Sequence, residues 1–139
     1  MKKYKFLEHT ADMKFSVSGR SIEEIFENSV YAISGFITKE RHVKKLFAKK
    51  FKVSAKDNEE LFYKFIDEII YLLDADTFLV SEAKVSFSEK NGKKELNVLA
   101  WGDNARNYND LDYMKAATYS EMYIKKTKNG WKAQAVVDI

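Results

Sequence analysis

The sequence predicts a mixed α+β domain. In this two-layer fold, about six or seven strands form one or two mostly antiparallel sheets, and two main amphipathic helices pack on them. Three observations lead there. Ser21 with Glu24, and Asp57 with Glu60, form two capping boxes, each opening a run of apolar residues at helical spacing. Asn91-Gly92 and Asn129-Gly130 are hairpin turn signals flanked by alternating runs. A length of 139 residues suits a single domain over 1–139 with one core.

Residues 3–7 and 13–18 read as short strands joined by a polar connection from Leu7 to Asp12. Phe15 and Val17 alternate with Lys14, Ser16 and Ser18, so by phase Asp12 falls with Lys14 and Ser16, away from the core. Ile22, Ile25, Phe26, Val30, Ile33 and Ile37 mark a helix over 22–37, with Gly35 weakening its last turn. Residues 39–50 are basic and read as a solvated loop entering a lysine-rich edge strand over 46–54. They lack the interleaved aromatics of single-strand binders. Leu61, Phe62, Phe65, Ile66, Ile69, Leu72 and Leu73 mark a second helix over 58–73, ended by Asp74-Ala75-Asp76. Strands over 78–88 and 94–101 form the first hairpin, closed by Trp101-Gly102. Residues 103–112 read as a mobile surface loop, and arms over 114–126 and 131–138 form a second hairpin. On the last arm Trp131, Ala133, Ala135 and Val137 share the core face, and Lys132, Gln134, Val136 and Asp138 share the other.

Composition excludes several classes of chemistry. There is no cysteine, so disulfides, thiolate metal sites and cysteine nucleophiles are absent. Only His9 and His42 are histidine, too few for a multi-histidine zinc site. No apolar stretch approaches the roughly 20 residues that span a bilayer. Glu8, His9 and Asp12 interrupt the place of a signal peptide, which predicts a cytoplasmic protein. Net charge is +3, and only Arg20, Arg41 and Arg106 are arginine among 24 basic residues, a balance that disfavours sequence-specific nucleic-acid reading. No Gly-rich phosphate loop, nucleophile elbow or zinc spacing occurs, which lowers the expectation of a self-sufficient enzyme. The chain closes on Val136-Val137-Asp138-Ile139, where an acidic side chain beside a carboxylate calls for a cation or a partner.

Three blocks carry a family resemblance: Tyr4-Lys5-Phe6-Leu7-Glu8-His9-Thr10-Ala11-Asp12, Met114-Lys115-Ala116-Ala117-Thr118-Tyr119, and Trp131-Lys132-Ala133 through Val137-Asp138-Ile139. Together, in this order and spacing, they resemble the archease family along the whole chain. The resemblance implies an accessory protein, not itself an enzyme. Its partner would be the GTP-dependent tRNA-splicing ligase, whose guanylylation and multiple turnover it promotes in tRNA splicing, with tRNA met only through the ligase and no membrane involved. It also implies a divalent-cation site, calcium first with magnesium or manganese compatible, carried over onto Asp12, Asp138 and a backbone oxygen of Ile139. All-oxygen ligation suits such hard ions and argues against zinc or copper. A C-terminal extension would then disturb the site. Lys115 and His9 are candidate functional contacts near it.

Three positions depart from the family's pattern: Lys14 where glycine is common, expected to crowd or salt-bridge the site, Ser120 where histidine often follows the Thr-Tyr pair, and Tyr108-Asn109 where the preceding loop often holds histidine. Two other readings stand beside the ligase activator. One is a metal-dependent phosphate-ester hydrolase using the acidic cluster, and the other a lysine-rich RNA-binding or chaperone module.

Overall fold

The computed structural model describes residues 3–7 and 12–139. Its elements are β1 (Tyr4–Leu7), β2 (Asp12–Gly19), α1 (Ile22–Thr38), β3 (Phe47–Ala55), α2 (Asn58–Asp76), β4 (Phe78–Lys90), β5 (Lys93–Asn104), a 3-10 turn (Ala105–Asn107), β6 (Ala116–Ala117), β7 (Tyr123–Thr127) and β8 (Gly130–Asp138). This is the expected α+β architecture, with eight strands among the described residues where six or seven were expected. One sheet runs β1-β2-β8-β6, with β7 also on β8, and the other runs β3-β5-β4. All pairings are antiparallel.

Both helices begin as their capping boxes require. The Ser21 hydroxyl accepts from the Glu24 amide at 3.2 Å, and the Asp57 carboxylate from the Glu60 amide at 2.8 Å. The two glutamates reach back one residue beyond the cap, to the amides of Arg20 at 3.1 Å and Lys56 at 2.9 Å. Each helix stops on a residue in the left-handed region, Lys39 (φ 56°) and Thr77 (φ 54°). Asp74 and Asp76 therefore lie within the last turn of α2 rather than beyond it, and Lys49 pairs with Asp76 at 3.0 Å. Gly35 is not a weak end but a buried position. A Cβ there would lie 2.6 Å from the Tyr4 hydroxyl, which donates to Glu40.

Each helix packs on both sheets. The link is a run of rings: Phe15 of β2 meets Phe62, Phe62 meets Phe26, Phe26 meets Phe65, and Phe65 meets Phe51 of β3. Burying such side chains contributes roughly 1.5–3 kcal/mol each relative to exposure, and edge-to-face ring pairs add to it. The hairpin β4–β5 is longer than expected, because strand pairing continues through Trp101-Gly102 to Asn104. Gly102 permits this, since a Cβ there would lie 2.1 Å from the Leu79 carbonyl oxygen.

The expected continuous arm over 114–126 is instead two short strands. β6 pairs with Val137 and Asp138 and β7 with residues 130–134, and the chain leaves the ladder between them. Thr118 replaces the missing ladder there, its amide and hydroxyl both reaching the Val136 carbonyl at 3.2 and 2.8 Å. β3 is an edge strand, as the lysine-rich pattern of 39–50 suggested. No helix among the described residues is long and apolar enough to cross a membrane.

Candidate divalent-cation site

The ends of β2, β6 and β8 converge at one edge of the five-stranded sheet. In the β2–β8 ladder Asp12 lies directly opposite Asp138, and in the β6–β8 ladder Ala116 lies opposite Asp138 from the other side. The Lys115 amide donates to the Asp138 carbonyl at 2.8 Å. Three segments far apart in sequence thus meet at one residue. Side chains directly opposite across antiparallel strands share a face, with Cβ atoms about 4.5–5.5 Å apart. Asp12 and Asp138 are both half-buried, and Ile139 follows, half exposed.

Two carboxylates so placed repel each other, and a hard dication offsets that repulsion. The donors within reach are carboxylate and main-chain oxygens, the set that calcium, magnesium and manganese accept. Among the described residues, no three His, Cys, Asp or Glu side chains come together as a metal cluster. Among the described residues, any third protein donor at this edge would be a main-chain oxygen, the role expected of Ile139. The residues present fit a flexible, partly hydrated calcium site better than a rigid all-protein cage.

The surroundings of the pair are as follows. Lys14 pairs with Glu121 at 2.9 Å, so its positive charge is directed to the 118–122 turn rather than serving as a salt bridge within the Asp12–Asp138 pair. The face carrying Asp138 is not open along its length, because Val136 is buried. Glu121 curls over it, held by Lys14 and by Gln134, whose side-chain amide donates to the Glu121 carbonyl at 2.8 Å. Lys115 is exposed and lines a shallow groove with Asp67, Tyr71 and Asp74 of α2, while its amide touches Asp138. His9 lies outside the described residues.

Two residues that position this edge were not legible as such. The Asp67 carboxylate of α2 accepts from the Ala117 amide at 2.8 Å and ties β6 to the helix. Thr118 anchors the next residue to β8. Tyr119 stacks on Tyr63, with ring centroids 4.2 Å apart and an interplanar angle of 11°. Burial, with the nearby negative charge of Glu60, raises the Tyr119 hydroxyl pKa. An aspartate at a partly buried helical position gives no sign in sequence that it caps a strand.

The segment 103–112, expected to be mobile, is anchored. Asp103 is buried and accepts from the Tyr108 hydroxyl at 2.8 Å, the Asn104 amide at 2.8 Å and the Asn107 side chain at 3.2 Å. Burial alone would raise the Asp103 carboxyl pKa, but these donors, with Lys44 nearby, outweigh it and hold it below the usual range. The Tyr108 hydroxyl accepts from the Lys44 amide at 2.9 Å, and Arg41 bonds Asn109 and Asp110. Tyr108 and Asn109, where histidine is common in the family's pattern, are thus structural ties. A second polar group joins Tyr31, Glu82 and Lys45. The Tyr31 hydroxyl and then the Lys45 ammonium lower the Glu82 pKa, while burial and Glu82 raise that of Tyr31.

With the geometry in hand, comparison with known proteins places it. The model of the archease protein family matches residues 4–139. The archease of Methanosarcina barkeri is 34% identical over 142 aligned positions, covering 99% of this chain and 97% of that one. The archease of Pyrococcus furiosus is 32% identical, with both chains covered in full. The solution structure of protein 1598 from Methanobacterium thermoautotrophicum superposes with a TM-score of 0.87 at 28% identity, both chains again covered in full. A crystal structure from Thermotoga maritima, of an archease described as a possible chaperone, matches with a TM-score of 0.58 at 18% identity. It covers 97% of this chain and 96% of that one, and supports the fold alone.

Proposed function

Since the chain belongs to the archease protein family, we propose that it is an accessory protein of a GTP-dependent RNA ligase of the tRNA-splicing type. It promotes guanylylation of that ligase and allows repeated turnover, and it does so through the edge that carries Asp12 and Asp138. The observation behind this reading is the register that sets Asp12 opposite Asp138 with Lys115 hydrogen-bonded beside them. Asp12, Asp138 and a main-chain oxygen of Ile139 would hold a divalent cation, calcium by preference. When bound, the cation supplies charge neutralisation and open coordination positions that suit water or a partner's carboxylate or phosphate oxygens.

The protein's own residues do the rest. Asp67 and Thr118 fix the 115–118 segment against α2 and β8, so the acidic edge is presented on a rigid scaffold. Lys14 pairs with Glu121 rather than with Asp12 or Asp138. An acidic tip on a rigid sheet suits a basic nucleotide-handling cleft, where complementary charge raises encounter rates.

The test is multiple-turnover joining of RNA ends by the cognate ligase with GTP, with and without this chain. The expected result is a turnover number well above one only when the chain is present. Turnover unchanged by a folded sample would refute the reading.

A further inference from the structure

The three-stranded sheet is covered on one face only. Leu96, Val98 and Ala100 of β5 are buried against the helices. Strand alternation therefore turns Asn97, Leu99 and Trp101 to the opposite face, and both Leu99 and Trp101 are only partly buried, outside the core cluster. The register sets lysines beside Leu99 and Asn97, while Trp101 lies between Ala48 and Glu82. Leu99 sits between Lys50 of β3 and Lys84 of β4, and Asn97 between Lys52 and Ser86. Neighbouring strands are about 4.8 Å apart, so Lys50 and Lys84 flank Leu99 with backbones about 10 Å apart.

The charge on this face is not cancelled. Lys50, Lys52 and Lys84 are exposed, and among the described residues none forms a salt bridge. Of the acids on the same face, Glu82 is held by Tyr31 and Lys45, and Glu95, bonded to Ser54, lies at the far end of the strand from Trp101. The aromatic interleaving missing from the basic stretch in sequence is thus created across strands, with an indole on the middle strand and lysines on both flanks.

We propose that this face binds single-stranded RNA, with Trp101 stacking on a base and Lys50, Lys52 and Lys84 contacting backbone phosphates. A sheet face carrying a partly exposed ring offers a platform for an unpaired base, whose face a duplex would hide. Lysines act as point charges on phosphate and read no sequence, so binding is tolerant of sequence. The choice of RNA over DNA rests on the proposed function; binding of a single strand to this face does not.

The experiment uses the full chain carrying Trp131→Phe, which leaves Trp101 as the one tryptophan, and a fluorescein-labelled uridine dodecamer. Anisotropy reports binding and Trp101 emission reports stacking. Three phosphates neutralised on a single strand give a log–log salt slope of about −2, so raising salt about fourfold weakens binding roughly 20-fold. Lys50→Glu with Lys84→Glu, both exposed and harmless to the core, lowers affinity at least tenfold at low salt with unchanged circular dichroism. Trp101→Ala weakens binding while retaining the salt slope. Absence of binding at low salt overturns the proposal. So does binding without quenching of Trp101, equal binding of a blunt duplex, or indifference to the lysine substitutions. Failure of ligase stimulation with dodecamer binding intact counts against the proposed function alone.

Discussion

Asp138 is where charge and backbone meet most tightly, since it faces Asp12 across one ladder and Ala116 across the other. Asp138→Asn removes a like-charge pair. Without divalent cation it should leave the unfolding free energy from urea titration unchanged or raise it by some tenths of a kcal/mol. Calcium at a hundredfold excess over its Kd should stabilise the natural chain by about 2.7 kcal/mol, an increment absent from Asp138→Asn and reversed by a chelator, as read by thermal unfolding. Tyr108 gives a second residue-scale test. Its hydroxyl donates to buried Asp103 and accepts from the Lys44 amide, so Tyr108→Phe should lower the urea midpoint without changing the slope. The pH dependence has a definite sign. The Asp103 carboxyl is held below its usual range in the folded chain, so its stabilisation is present above the unfolded pKa and is lost as pH falls through the folded one. With Tyr108→Phe, acid unfolding should begin at a higher pH than in the natural chain. The sequence showed Asp12 and Asp138 as polar residues on their strands, because period-2 alternation is local. That Asp103 is buried was not legible, because the donors that make burial tolerable come from residues one to five positions later in a turn no propensity specifies.

At the level of elements, both helices were legible because capping and apolar periodicity agreed. Asp57→Ala should cost about 1 kcal/mol by loss of the α2 cap, measured by denaturant unfolding. The β4–β5 hairpin was legible from Asn91-Gly92, but its far end was not, since only the fold reveals that Gly102 must let the Leu79 carbonyl approach. Gly102→Ala forces main chain to move and should cost about 1–3 kcal/mol or more, with loss of soluble protein as the alternative readout. The arm over 114–126 was misread for a physical reason. Met114, Ala117 and Ile124 are all buried, but not at the even spacing of one strand: Thr118 takes over the Val136 carbonyl and the chain turns at Glu121 (φ 53°) before pairing resumes. That break supplies the Lys14–Glu121 pair and the exposed Tyr119 ring, neither of which a continuous strand would place there.

Across the whole molecule, two surfaces of opposite character emerge from one core. The five-stranded sheet ends in an acidic edge built from β2, β6 and β8, while the three-stranded sheet turns a lysine-rich face outward. The aromatic run from Phe15 to Phe51 joins the two sheets through the helices, so both surfaces are carried by one packed body. A net charge of +3 hides this division, which is why composition alone pointed weakly to any partner. If the edge carrying Asp12 and Asp138 acts upon a ligase, covalent guanylylation reads that action out without intermediate steps. Ligase would be incubated with labelled GTP and calcium, alone, with this chain, and with its Asp12→Asn and Asp138→Asn forms. The account predicts labelled ligase accumulating much faster with the natural chain, and at the unaided rate with either substitution. Equal labelling with the natural chain and the substituted forms would contradict it.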